Sequence, residues 1–142
     1  MRPGGYPKGV QARAWVEVDL AALWANYRLL AGRAGGEVIP VLKADAYGHG
    51  ALPLARFLEG KGVGRFAVAT LEEGRRLREG GIKGEVLLLG SLHPLEAEEA
   101  LRLGLVPTLS NLEAAEALSQ RARALGLVPR AHLKVDTGMN RV

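Results

Sequence analysis

Short apolar runs recur along the chain at residues 37–43 (EVIPVLK), 65–69 (RFAVA), 85–89 (EVLLL), 105–109 (LVPTL) and 130–136 (RAHLKVD). Their starts lie roughly 20 to 28 residues apart, the length of a strand, a helix and two short loops. Apolar runs that alternate with amphipathic stretches read as parallel strands covered on both faces. The helix signals agree. Asp19 can cap a helix through Leu20, Leu23, Trp24, Tyr27 and Leu30, which recur at helical spacing. Thr70-Leu-Glu-Glu73 and Ser110-Asn-Leu-Glu113 are S/T-x-x-E capping boxes placed just after strands. Pro94 suits the first turn of a helix through Leu95, Ala97 and Leu101. Gly32, Gly80, Gly104 and Gly126 stand where the helices are expected to stop. Pro40 and Pro107 conflict with this pattern, because each removes a ladder donor from a strand candidate.

Repeated β/α units lead to an open doubly wound sheet or a closed β/α barrel. Neither G-x-G-x-x-G nor G-x-x-x-x-G-K-[ST] follows the first strand candidate. A lysine near the end of that strand favours the barrel. The expected fold is therefore α/β, a partial TIM-type (β/α) barrel with about five of its eight units. A complete barrel needs about 200–250 residues, so a chain of five units is expected to be cut short. Residues 1–13 (MRPGGYPKGVQAR) read as a leader, and 14–142 as the N-terminal part of the barrel.

Composition narrows the class. With 48% apolar and 24% charged residues in 142, the chain is too apolar to be disordered. No apolar run is long enough to span a bilayer, and no apolar stretch follows the first basic residues as in a secretory signal. There are no cysteines, which excludes a disulfide scaffold and thiolate zinc sites and suits a cytoplasmic location. A net charge of +4 spread along the chain is weak attraction for nucleic acid, and the aromatics are few and unclustered.

Two stretches carry chemistry. In residues 41–50 (VLKADAYGHG), alternation places Ile39, Val41 and Lys43 on one strand face, with Lys43 at the strand's C-terminal end. In a barrel that end carries the active site. A lysine at the mouth of an apolar strand is partly desolvated, which favours the free amine. A free amine can attack a carbonyl to form a Schiff base. Gly48 and Gly50 would allow close backbone approach to a ligand, and Tyr47 can donate a hydrogen bond to a phosphate. Position alone favours a surface lysine at a loop edge.

In residues 131–141 (AHLKVDTGMNR), His132, Lys134 and Asp136 share one face while Ala131, Leu133 and Val135 share the other. If the apolar set lies against helices, three ionisable groups point into the barrel, which is costly unless each is paired. Such a pattern marks a site more often than packing, with a self-satisfying ion-pair network as the alternative. Arg141 follows the Thr137-Gly138 turn on the same rim, and its planar fork suits a carboxylate or phenolic oxygen.

VLKADAYGHG resembles the lysine motif of the alanine racemases, and KVDTGMNR resembles their second signature. The opening AWVEVDLAALWANYRLL, with Asn26, is similar to their entry strand and first helix. The resemblance runs from about Ala14 to the last residue and covers only the first part of a typical member. It implies a fold-type III pyridoxal-phosphate enzyme: a β/α barrel, a C-terminal β-domain absent from this chain, and a homodimer that interconverts L- and D-alanine for peptidoglycan. It further implies that Lys43 holds the cofactor and acts as base on one face of the substrate. Tyr47 would reach the cofactor phosphate, and Arg141 would sit near the ring hydroxyl and the substrate carboxylate. Lys134 resembles a lysine often carbamylated, an anion that could orient Arg141, with His132 and Asp136 in support. Leu89 is a packing candidate beside the cofactor ring. The second base would be a tyrosine of the partner's C-terminal domain, so the 142 residues alone are expected to be inactive. Other readings remain: a racemase of broader specificity, a basic amino-acid decarboxylase, or a non-catalytic pyridoxal-phosphate barrel.

The remaining charged stretches read as surface. Residues 72–79 (EEGRRLRE) and Arg121-Ala-Arg123 are expected to be solvated helix faces. His93 is expected at a helix start and His49 to hold its loop, with no second ligand at metal spacing. Trp15 and Trp24 are expected to pack.

Overall fold

The computed structural model describes residues 14–140. The proposed leader (1–13) and Arg141 lie outside the described residues. Element order is α1 (Leu20–Ala34), α2 (Lys43–Tyr47), α3 (Ala51–Glu59), β1 (Arg65–Val68), α4 (Leu71–Glu79) and β2 (Glu85–Ser91). A 3₁₀ turn (Pro94–Glu96) then leads into α5 (Ala97–Arg102), followed by β3 (Val106–Leu109), α6 (Leu112–Leu125) and β4 (His132–Leu133). The four strands form one sheet in the order β1-β2-β3-β4, and all pairs are parallel. Each strand joins beside its predecessor with no reversal of direction. A doubly wound sheet reverses at a switch point, whereas a barrel adds every strand on the same side.

The first strand candidate, residues 37–43, is reduced to one bridge between Val41 and Ala67. Two backbone bonds flank it: Ala67 N–H donates to Pro40 O at 2.9 Å, and Leu42 N–H donates to Ala67 O at 2.7 Å. The segment still lines the edge of β1, but Pro40 supplies no donor and Lys43 already begins α2. Pro107 has the opposite outcome and lies buried inside β3. The β2–β3 register shifts between Leu87↔Val106 and Ser91↔Thr108, so the ladder is irregular where the proline falls. The Leu88 carbonyl accepts instead from the Thr108 hydroxyl at 2.6 Å.

The sheet has two unlike faces. Leu42, Phe66, Val68, Val86 and Leu88 are buried in the main core cluster with Leu54 and Leu58 of α3 and Leu77 of α4. The opposite face carries the row Val41–Ala67–Leu87–Val106, laterally aligned by the register. There Val41 and Leu89 remain 41% and 39% exposed. This is the face that a closed barrel turns inward.

The helix signals hold with small shifts. The Asp19 carboxylate accepts from Ala21 and Ala22 N–H, and α1 runs through Gly32 to a left-handed cap at Gly35. Thr70 forms a full capping box with Glu73. At the second box the N-cap is Asn111, which accepts from Ala114 N–H. Ser110 instead pairs its hydroxyl with that of Ser91 at 2.6 Å. His93 caps the 3₁₀ turn, and Gly80 and Gly126 cap α4 and α6. Leu103 rather than Gly104 is the cap residue of α5. Trp24 stacks on Tyr27 at 5.4 Å, but Trp15 is exposed and donates to Glu17 instead of packing. Of the charged stretch 72–79, Glu72 makes the expected helix-face ion pairs with Arg75 and Arg76. Arg78 does not: its guanidinium donates to the carbonyls of Ile82, Gly84, Leu103 and Gly104, tying α4 to the turns below the sheet.

Two substitutions test this frame. Thr70→Ala removes the hydroxyl of the capping box and is expected to cost about 1 kcal/mol. At Gly90 a Cβ would lie 2.5 Å from the Ala69 carbonyl oxygen, a backbone atom that cannot turn aside. Gly90→Ala is expected to cost about 1–3 kcal/mol by forcing β1 and β2 apart. Urea denaturation midpoints check both, and an unchanged midpoint for Gly90→Ala would show that the close approach is not tight.

Candidate active site

Lys43 lies two residues past the Val41 bridge, at the C-terminal end of the edge segment beside β1. It is half-buried, and its Nζ sits 5.7 Å from the centroid of the Tyr47 ring. Tyr47 is 64% exposed, so the amine and the phenol face open space together.

The backbone that joins them is unusual. Ala44, Asp45, Ala46 and Tyr47 all have φ of 52–54°, a complete left-handed turn made of L-residues other than glycine. Each such residue costs roughly 1–2 kcal/mol relative to the right-handed form. The turn is closed from within by Ala46 N–H to Leu42 O at 2.9 Å and by Gly48 N–H to the Ala44 and Asp45 carbonyls. It is held from outside as well. Ala44 N–H donates to Glu73 Oε1 at 2.7 Å, and Ala51 N–H donates to Asp45 Oδ1 at 2.7 Å. His49 Nδ1 lies 2.8 Å from Ala46 O, the loop-holding role expected of it. Gly48 and Gly50 continue the left-handed path at φ 85° and 87°, and no atom lies within 4 Å of where a Gly48 Cβ would point. The positive φ at both positions is a conformation that glycine adopts at no steric cost.

The second motif lies at the far edge of the sheet. The register pairs Thr108 with His132 and Leu109 with Leu133, and Lys134 N–H donates to Leu109 O at 2.8 Å. Because Thr108 shares the face of Val106, His132 and Lys134 fall on the same sheet face as Val41, Leu87 and Leu89. The expected alternation thus holds. Leu133 and Val135, on the helix-side face, are 78% and 69% exposed, and no described element covers them. Asp136 does not act as a free inward carboxylate. It accepts from Gly138 N–H at 2.9 Å and Asn140 N–H at 3.0 Å, and these amides, Gly138 first, hold its carboxyl below the ordinary Asp range. Its place is to fold the turn that precedes residue 141.

Lys43 and Lys134 thus stand at the same end of a parallel sheet, four strand positions apart, or about 19 Å along the sheet. The sheet brings Leu89 between them, while Arg141 lies outside the described residues. The opposite end carries ion pairs instead: Arg65 with Glu37 and Glu85, and Arg130 with Glu85. Charge at that end ties segments together, while at the C-terminal end the Asp45, Glu73 and Asp136 carboxylates are taken up by main-chain amides.

The residues present fit pyridoxal phosphate. A primary amine for its aldehyde and a phenol for its phosphate stand side by side at the sheet's end, and the exposed Val41 and Leu89 supply apolar surface on the same face. Among the described residues there is no cluster of His, Asp and Glu able to hold a metal ion.

Glu73 belongs to this site although the sequence reading left it in a solvated helix face. The T-x-x-E box accounts for a glutamate at that position completely, so the sequence offered no separate signal for its contact with the lysine motif.

Comparison with known proteins follows the same lines. The profile of the family described as "Alanine racemase, N-terminal domain" matches residues 18–142. The alanine racemase of Carboxydothermus hydrogenoformans is 46% identical over 129 residues, which cover 90% of this chain and 35% of that protein. The alanine racemase of Halothermothrix orenii is 39% identical over 137 residues, covering 95% of this chain and 36% of that protein. The chain therefore spans about a third of the length of these relatives. Among solved structures, an alanine racemase of Clostridium difficile 630 in complex with cycloserine superposes with a TM-score of 0.79 at 35% identity, covering 87% of this chain and 34% of that one. A histidine racemase from Leuconostoc mesenteroides superposes equally well, with a TM-score of 0.79 at 30% identity, covering 87% of this chain and 33% of that one. The single-direction strand order, the lysine motif at its C-terminal end and the match over 18–142 together establish that this chain belongs to the alanine racemase N-terminal domain family, as part of a TIM-type barrel.

Proposed function

We propose that this chain is the cofactor-binding portion of a pyridoxal-phosphate-dependent alanine racemase. The observation that carries the reading is the seating of Lys43, half-buried at the C-terminal end of a barrel-type sheet with the Tyr47 ring 5.7 Å from its amine. When bound, pyridoxal phosphate supplies an electron sink that acidifies the α-proton of the amino acid. Lys43 Nζ holds the cofactor aldehyde in the resting protein. As a free amine, the same Nζ would take or return the α-proton on one face. The Tyr47 hydroxyl donates to the phosphate. Leu89 would supply apolar surface to the ring, and Arg141 would take the substrate carboxylate and the ring hydroxyl. Lys134, if its free amine takes up CO₂ and loses a proton to become a carbamate, would turn from cation to anion and could orient Arg141, with Asp136 holding the turn that follows Lys134 and His132 on the same sheet face as Lys134. The relatives named alanine racemase support alanine as the substrate.

Racemisation also needs an acid or base on the other face of the α-carbon. Of the three tyrosines, Tyr47 is beside Lys43 and Tyr27, on α1, donates to the Val38 carbonyl, while Tyr6 lies outside the described residues. The second base is assigned to a tyrosine of the C-terminal domain of a partner subunit, so the working form is a homodimer of the longer polypeptide. No described helix is long and apolar enough to cross a membrane. On the resemblance to the alanine racemases, the enzyme would work in the cytoplasm and supply D-alanine for peptidoglycan. Broader specificity is a second reading, favoured by the equal superposition of a histidine racemase.

Two outcomes test the proposal. Adding pyridoxal phosphate to the 142-residue chain is expected to give an imine absorbance band, and borohydride reduction to fix the adduct on Lys43. Lys43→Ala is expected to abolish both, and an adduct on another lysine with Lys43 unmodified would overturn the assignment. The 142-residue chain by itself is expected to racemise alanine negligibly, and robust turnover without a second polypeptide would refute the assignment of the opposite-face base.

A further inference from the structure

We infer that Glu73 is a positioning residue for Lys43: its carboxylate, reaching across from α4, fixes the peptide unit that follows the lysine and so sets where the amine stands. The inference rests on the proposed role of Lys43. The Ala44 N–H belongs to the same peptide plane as the Lys43 carbonyl. Holding that N–H fixes the backbone rotation between Lys43 and the left-handed turn, and hence the direction in which the lysine stem leaves the chain.

The carboxylate does more than cap its own helix. A capping box requires only a bond back to the N-cap N–H, and the bond from Thr70 N–H to Glu73 Oε2 is 3.3 Å. The shorter bonds go elsewhere. Ala69 N–H, at the end of β1, donates to Oε2 at 2.7 Å, and Ala44 N–H donates to Oε1 at 2.7 Å. One side chain thus binds the end of the strand with one oxygen and the start of the lysine turn with the other. A cleft of about 660 Å³ opens between α2, α3 and α4, with Ala44, Asp45, Glu73 and Leu77 in its walls. Leu42 and Ala46 of this segment are buried with Leu77 of α4 in the core, and beside that contact the Glu73 carboxylate reaches the Ala44 N–H at the edge of the cleft. The strain of four left-handed residues makes an external hold necessary, because without it the start of the turn gains by relaxing.

Glutamine cannot replace both functions. Its amide has one acceptor oxygen, and if that oxygen stays with Ala69 and Thr70 its NH₂ meets the Ala44 N–H, donor against donor. Glu73→Gln therefore separates the hold on Ala44 from the helix cap, and Thr70→Ala separates them in the other direction.

The test compares Glu73→Gln, Glu73→Ala and Thr70→Ala with the parent 142-residue chain. Three quantities are read: the melting temperature, amide hydrogen exchange at Ala44, and the Kd for pyridoxal phosphate from the imine band. Glu73→Ala and Glu73→Gln are expected to lose protection at Ala44 and to weaken cofactor binding by about tenfold or more, the worth of one charge-assisted hydrogen bond. Thr70→Ala is expected to lower the melting temperature while leaving Ala44 protection and the Kd unchanged. If the glutamate variants bind the cofactor as the parent does, or if Thr70→Ala weakens binding as much as they do, the inference is overturned. Ala44 exchange needs no cofactor, so it reads the hold on the turn even where Lys43→Ala shows the cofactor assignment to be wrong. Should Glu73→Ala fail to fold, Glu73→Gln, which can keep its bonds to Ala69 and Thr70, decides the matter alone.

Discussion

A run of left-handed L-residues does not persist on its own account, and the lysine motif of this chain contains four of them in succession. Everything proposed for the site depends on that turn being held. Its entry is anchored to the sheet through Leu42 N–H and Ala67 O, and its first peptide is gripped by Glu73. Its exit is tied to α3 by the Asp45 carboxylate, after which two glycines carry the positive φ onward. The result is an abrupt change of direction within one residue of Lys43. A regular strand would have carried the lysine on along the sheet. The reversal leaves the amine at the rim with the Tyr47 ring beside it.

Much of the frame could be read from the sequence, and the reasons are physical. Apolar runs spaced by helix lengths located β1, β2, β3 and β4, the caps at Asp19 and Thr70 were named from local chemistry alone, and His93 was placed at a helix start. Alternation placed His132 and Lys134 on a common face because β4 is regular enough for a period of two to hold. The misses arose where a non-local partner overrode a local rule. The first strand candidate has the right composition, yet the turn begins at Lys43 and leaves a single bridge. Ser110 has the hydroxyl of an N-cap but is drawn away by Ser91, and Asn111 takes its place. Trp15 has the composition of a core residue and stays outside.

The candidate site was only half legible. As candidates, Lys43, Tyr47 and Lys134 follow from motif and periodicity. Glu73 does not, since its position in a capping box explains it without remainder. Asp136 was counted among inward-facing ionisable groups, whereas its bonds to Gly138 and Asn140 show it folding the backbone ahead of residue 141. In both cases a carboxylate is occupied by main-chain amides that belong to another part of the chain or to the next turn. Sequence spacing cannot announce such a partner, because backbone donors are present at every position but proline.

The strand order has a consequence of its own. Spatial sequence β1-β2-β3-β4 is also the order in which a ribosome delivers these segments. Every pairing joins neighbours in the chain, so none must wait for a distant partner to be made. Each emerging β/α unit can dock on a surface already in place, and assembly can keep pace with synthesis from the amino end. Lys43, on the first segment of this sheet to be made, would then be oriented before the second motif has left the exit tunnel.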